Sequence, residues 1–138
     1  MIVRVSVPSR VHLTLIDLGR VGYRRNGGVG FGIATPRLNL AFASHAVVDL
    51  RALATCGYLP VEIESLTKRL ERLIGQRQLA QGLRLTDVQL PARHMGFGTG
   101  TAVALASLES LFLLNDLSMS PEFLRAHSGR GGASGIGL

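Results

Sequence analysis

The residues of this chain that could do chemistry sit in three glycine clusters and one short alternating stretch. Pro91-Ala92-Arg93-His94-Met95-Gly96-Phe97-Gly98-Thr99-Gly100-Thr101 leads from an alternating segment into an apolar one, and reads as the turn between a strand and a buried helix. Free backbone N–H groups and the positive end of a helix converge at such a turn, which makes an anion site. Glycine at 96, 98 and 100 lets the backbone approach phosphate oxygens closely. The hydroxyls of Thr99 and Thr101 can add donors or hold a phosphate-bound magnesium ion. The plainer reading of the same residues is a strained turn without a ligand. The lysine that closes the familiar phosphate loop is absent, and the glycine spacing is not that of a dinucleotide-binding turn.

Near the amino terminus, Pro8-Ser9-Arg10-Val11-His12-Leu13 places Arg10 and His12 on one face of a strand, about 7 Å apart. The two could grip an anionic or hydroxylated substrate, or simply face solvent. The alternation loses phase at Ile16 and Asp17, where a bulge or strand end would re-aim the Asp17 carboxylate. Asn26-Gly27-Gly28 opens a run in which glycine alternates with Val29, Phe31 and Ile33. One face of that run reads as core, and the other has no side chains, which invites close approach of backbone or ligand. Arg130, Gly131, Gly132 and Ser134 combine a planar cation, pliable backbone and a hydroxyl, suited to a phosphate or pyrophosphate; alone, they could equally be a tail.

These residues need elements to position them. Alternation predicts strands at residues 2–7, 10–18, 28–34 and 37–43, with turns at Pro8-Ser9 and Thr35-Pro36. A weaker strand is expected at residues 47–53. Ile63, Leu66, Leu70, Leu73 and Ile74 recur at helical spacing within residues 61–79, with Glu64 and Lys68 as an i,i+4 pair and an interruption or end near Gly75. A strand at residues 83–90 precedes the glycine turn. The helix at residues 99–114 is apolar on nearly every side and should be central. Ser120-Pro121-Glu122 reads as an N-cap followed by a short helix ending near His127.

Composition narrows the function classes. With 138 residues, 46% of them apolar, there is enough chain for one ordinary core. The start does not read as a signal peptide, and the apolar stretch from Thr101 falls short of the roughly 20 residues needed to cross a bilayer. The single cysteine, Cys56, makes an internal disulfide impossible and is expected to be structural. The net charge of +6 favours anionic partners. The glycine-rich run at residues 129–137 would have little to order it at a chain end, so the chain is expected to be truncated.

Taken together, Pro8 to Leu13 and Pro91 to Thr101 resemble the first two motifs of the GHMP superfamily of small-molecule kinases. Within it, Pro8-Ser9-Arg10-Val11-His12-Leu13-Thr14-Leu15-Ile16-Asp17-Leu18, Asn26-Gly27-Gly28-Val29-Gly30 and Arg130-Gly131-Gly132-Ala133-Ser134-Gly135-Ile136-Gly137 resemble, in the right order, the β-ribofuranosylaminobenzene 5'-phosphate synthase family. The departures are Phe97 and Thr99 where leucine and serine are usual, and Asn26 where aspartate is common.

The resemblance implies an α+β fold, the GHMP-kinase amino-terminal domain, with a ribosomal-protein-like two-layer mixed sheet and helices on one side. Residues 1–138 would be this phosphate-binding domain, with the carboxy-terminal domain absent and the fragment alone inactive. It implies an enzyme that condenses phosphoribosyl pyrophosphate with a para-substituted benzoate, releasing carbon dioxide and pyrophosphate, at the start of tetrahydromethanopterin synthesis. Magnesium would neutralise the leaving group. Gly96, Gly98, Thr99, Gly100 and Thr101 would hold pyrophosphate, with Arg130, Gly131, Gly132 and Ser134 as further phosphate ligands. Arg10, His12 and Asp17 would act on the substrate side, and Asn26, Gly27 and Gly28 would shape the pocket. A cytoplasmic homodimer follows by the same analogy. The rival readings are an ATP-dependent kinase of the superfamily and a basic nucleic-acid-binding module. Against the latter, no aromatic residues interleave with a basic stripe.

Overall fold

A computed structural model describes residues 1–17, 26–93 and 95–127. Of the side chains of residues 12, 14–17, 26–28 and 125 nothing is described. Two long strands, β1 (Ile2–Asp17) and β2 (Asn26–His45), pair antiparallel. A two-turn 3-10 helix (Arg51–Cys56) and α1 (Pro60–Arg77) lead to β3 (Gly82–Gln89), which pairs with the end of β2. α2 (Thr99–Leu113) and the short α3 (Pro121–His127) follow. The fold is thus mixed α/β, with a three-stranded antiparallel sheet ordered β1-β2-β3.

Three local expectations give way. The Pro8-Ser9 and Thr35-Pro36 steps do not end strands. They lie opposite each other as a register shift, Pro8 pairing with Arg37 and Ser9 with Ile33, so the ladder continues across them. Proline is tolerated at such an irregularity because no regular ladder bond is lost there. The phase change also falls earlier than expected, between His12 and Thr14 rather than at Ile16. Finally, the weak strand at residues 47–53 shrinks to one parallel bridge, Asp49 opposite Arg84. Asp49 N donates to Leu83 O (2.8 Å) and Asp49 O accepts from Leu85 N (2.9 Å). The chain then turns into the 3-10 helix that buries Leu53.

The core lies between one sheet face and the helices. Leu38, Leu40 and Phe42 of β2 and Leu83 and Leu85 of β3 are buried with Leu66, Leu70 and Leu73 of α1 and Val103, Leu108, Leu111 and Phe112 of α2. Val3, Val5 and Val7 pack against this cluster, as their alternation predicts. On the opposite face, Arg37 Nε donates to Ser6 Oγ, which donates to Asn39 Oδ1. α2 is buried on most sides, and Ser107 satisfies its hydroxyl on Val103 O at 2.8 Å. α1 runs through Gly75 to Arg77, and its expected Glu64–Lys68 pair forms. Ser120 Oγ caps α3 by accepting from Phe123 N at 3.2 Å.

β3 meets β2 only from Asn39 onward. The far half of the β1–β2 ribbon therefore extends beyond it. On that half Leu13, Val29 and Phe31 are exposed, Phe31 by 57%. The apolar face expected to be core there is uncovered among the described residues, and a Cβ added to Gly32 would meet nothing within 4 Å.

Candidate phosphate-binding site

The glycine loop joins β3 to α2 and changes hand twice: Gly96 has φ 78° and Gly98 has φ 71°. Residues with a Cβ rarely adopt this left-handed region. Gly98 is the N-cap of α2 and has no side chain to cap it. The first intrahelical bond is Ala102 N to Gly98 O, at 3.1 Å. The amides of Thr99, Gly100 and Thr101 thus have no acceptor within the helix, and they lie at the positive end of its dipole. A Cβ added at Gly96 or Gly100 would meet nothing within 4 Å, so there is open space over the loop. Thr99 and Thr101, in contrast, are buried, and Thr101 Oγ1 finds no hydrogen-bond partner among the described residues.

β1 supplies the loop's cationic neighbour. Arg10 N donates to Phe97 O at 3.3 Å, which pins the loop to the strand. The Arg10 side chain lies against Gly98, where an added Cβ would come within 3.0 Å of the guanidinium carbon. Two sequence-predicted segments far apart along the chain thus meet at one place.

On its other flank the loop is held by Arg93, which sequence reasoning did not single out. Its guanidinium donates to both oxygens of Glu62 (2.9 and 2.6 Å) and to Gly57 O (2.5 Å), and it stacks over the Tyr58 ring at 3.8 Å. Glu62 Oε2 also accepts from Leu59 N at 2.8 Å, at the start of α1. A glutamate in the first turn after Pro60 signals a helix start, but nothing in the sequence pairs it with Arg93. Burial pushes the Tyr58 phenol up to about 12, so it stays protonated in neutral solution. A cleft of about 430 Å3 opens beside the loop, lined by Tyr58, Glu62, Arg69, Arg93, Gly100 and Thr101 among others. A larger cleft of about 530 Å3, between β1, α2 and α3, is mostly apolar and has no basic group in its lining.

The other predicted residues fall elsewhere. His12 pairs with Gly30 two positions beyond Arg10, and its side chain lies outside the described residues. Asp17 pairs with Asn26, Ile16 with Gly27 and Leu15 with Gly28, at the far end of the ribbon. Along a strand, the seven steps from Arg10 to Asp17 span roughly 23 Å. Asp17 and Asn26 to Gly28 are brought to each other and not to the loop. Arg130, Gly131, Gly132 and Ser134 lie outside the described residues. Among the described residues no three His, Cys, Asp or Glu side chains cluster as metal ligands, and no helix is long and apolar enough to cross a membrane.

No protein-family model matches the chain. Curated relatives do. The chain is 31% identical over 144 aligned residues to the beta-ribofuranosylphenol 5'-phosphate synthase of Methanothermobacter thermautotrophicus, covering 97% of this chain and 41% of that protein. It is 29% identical to the synthase of the same name from Archaeoglobus fulgidus (98% and 41%). With that of Methanocaldococcus jannaschii the identity is 28% (97% and 42%). The chain is homologous to these synthases. It spans about two fifths of their length. Their shared name carries a phenol where the motif resemblance pointed to an aminobenzene.

Proposed function

We propose that this chain forms the amino-terminal, phosphate-binding part of a β-ribofuranosylphenol 5'-phosphate synthase of tetrahydromethanopterin biosynthesis, with the GHMP-type fold and working as a cytoplasmic homodimer. The enzyme condenses phosphoribosyl pyrophosphate with a para-substituted benzoate. The bond from the ribosyl carbon to pyrophosphate breaks, and a bond from that carbon to the ring forms. The carboxylate leaves as carbon dioxide and its bonding electrons return to the arene. The phenol in the relatives' name favours para-hydroxybenzoate over the amino analogue.

The observation that carries this reading is the placement of Arg10 against Gly98 at the uncapped start of α2. As pyrophosphate departs, negative charge grows on its bridging oxygen. Preorganised amides and a guanidinium aimed at growing charge are what such a departure requires. The Thr99, Gly100 and Thr101 amides and Arg10 take that role, with Arg130, Gly131, Gly132 and Ser134 as further phosphate ligands. His12, two residues beyond Arg10, acts on the ribosyl side. Asp17 and Asn26 to Gly28 have no step at the ribosyl carbon within one chain, because roughly 23 Å of strand separates Asp17 from the loop.

The donors present suit magnesium carried by the polyphosphate rather than held by a protein cage, since no acidic cluster lies among the described residues. Bound in that way it would neutralise the leaving group, with the Thr101 hydroxyl, which makes no other hydrogen bond there, as the protein oxygen available to it.

The test is calorimetric titration of the full-length protein with phosphoribosyl pyrophosphate and with ATP, each with magnesium. Saturable binding of phosphoribosyl pyrophosphate supports the synthase. ATP binding alone would make the protein a kinase of the superfamily, and binding of neither would end the phosphate-site reading.

A further inference from the structure

The geometry points to Arg93 as a positioning residue for the anion site: through Glu62 it fastens the glycine loop to the start of α1, holding the first-turn amides of α2 in place before a ligand arrives. This rests on the loop being the anion site.

The glycines that let the loop approach a ligand give it no stiffness of its own. A chain with Gly96, Gly98 and Gly100 has many conformations of similar energy, and an anion that had to select one would bind more weakly by the cost of that ordering. Stiffness therefore has to come from contacts on either side. Phe97 O is tied to Arg10 N of β1. Arg93 supplies the other tie, at four points: two oxygens of Glu62, the carbonyl of Gly57 and the face of Tyr58.

Each of those points is itself held. Glu62 Oε2 accepts from Leu59 N, so the carboxylate that grips Arg93 also closes the first turn of α1. Gly57, at φ 79°, ends the 3-10 helix, and Tyr58 N donates to Leu53 O. The Arg93 side chain is 13% exposed, and its two terminal nitrogens are both engaged in this clamp. Its place is thus that of a strut rather than of a ligand contact. The fork geometry matters: lysine has neither the paired donors nor the flat face that stacks on a ring.

A strut and a mere stabiliser differ in what their loss does to molecules that remain folded. Losing a stabiliser lowers the melting temperature, but the folded fraction binds normally. Losing a strut weakens binding by the folded fraction as well. The experiment is calorimetric titration of the full-length protein with inorganic pyrophosphate and magnesium, well below the melting transition of every variant, which is recorded in parallel. Arg93→Lys and Glu62→Gln are compared with wild type and with Gly98→Val. The glutamine at 62 can still accept from Leu59 N, so this variant carries the test if Arg93→Lys does not fold.

The expected result is binding weaker by about tenfold or more in each single variant, with the double variant no weaker than the worse single one, because both remove the same tie. Wild-type affinity in folded Glu62→Gln or Arg93→Lys, whatever their melting temperatures, would overturn the positioning role while leaving the anion site intact. Absence of pyrophosphate binding by wild type itself would overturn the anion site, and the positioning role with it.

Discussion

The guanidinium of Arg10 lies directly against the backbone of Gly98, so closely that a Cβ on residue 98 would come within 3.0 Å of both its carbon and Nη2, with Nε nearer still. β1 and the start of α2 are therefore fitted to each other through the one residue type that leaves room. Charge, open backbone and helix end coincide because that residue is glycine.

Gly98→Val should abolish pyrophosphate binding and lower stability. Valine adds the left-handed strain, about 1–2 kcal/mol, to a clash that only displacement of Arg10 relieves. Calorimetry with pyrophosphate and a urea titration read the two effects separately; a variant that binds as wild type would show that the loop is not the anion site.

Gly82→Ala tests a different close approach. An added Cβ there meets Val47 C at 2.6 Å and Val47 O at 2.7 Å, both backbone atoms that no rotamer change can move aside. A loss of about 1–3 kcal/mol is expected in chemical unfolding, with pyrophosphate affinity unchanged because the site lies elsewhere.

Tyr58→Phe should be neutral or stabilising by up to about 1 kcal/mol, since the buried phenol oxygen has no hydrogen-bond partner among the described residues. The ring remains for Arg93 to stack on. Burial raises the folded phenol from its ordinary 10 to about 12. The folded state thus keeps a proton that the unfolded chain releases, and stability falls as pH rises from about 10 through 12. In Tyr58→Phe this part of the alkaline loss should disappear from a series of denaturation curves.

Asp49 governs the acid side. Its hydrogen bond with the Arg51 side chain, opposed by burial and helped by the Arg51 amide and the charges of Arg51 and Arg84, lowers its carboxyl to about 2. A depressed carboxyl stabilises the fold above its unfolded value of 3.8 and loses that contribution as pH falls toward 2. Because Arg51 is largely exposed, the contribution is on the order of 1 kcal/mol. Asp49→Asn should flatten the stability profile between about pH 4 and 2 in acid titrations followed by circular dichroism.

Much of this architecture is legible from residue order. The apolar run after Gly98 could only be an interior helix, and the leucine spacing of α1 and the Ser120 cap leave little choice. Alternation finds both long strands but cuts each in two, because the Pro8-Ser9 and Thr35-Pro36 steps read as turns and their meeting across the ladder is a tertiary fact. The weak strand expected at residues 47–53 shows the reverse: only one bridge forms there. Arg10 and the glycine loop were separately visible as candidates. Their contact was not, since nothing local says which strand residue faces which turn. Arg93 was invisible for the same reason, its partners lying on α1 and the turn before it.

The helix whose first turn would carry the ligand is also the helix most deeply embedded in the core. An anion at that turn would therefore bind to a part of the molecule that persists until the whole fold is lost, and not to a loop that opens by itself. Occupancy should then appear as slower hydrogen exchange throughout the interior and as a rise in the melting curve that grows with ligand concentration. Plain thermal-shift screening of small phosphates and pyrophosphates would be enough to search for what this loop prefers.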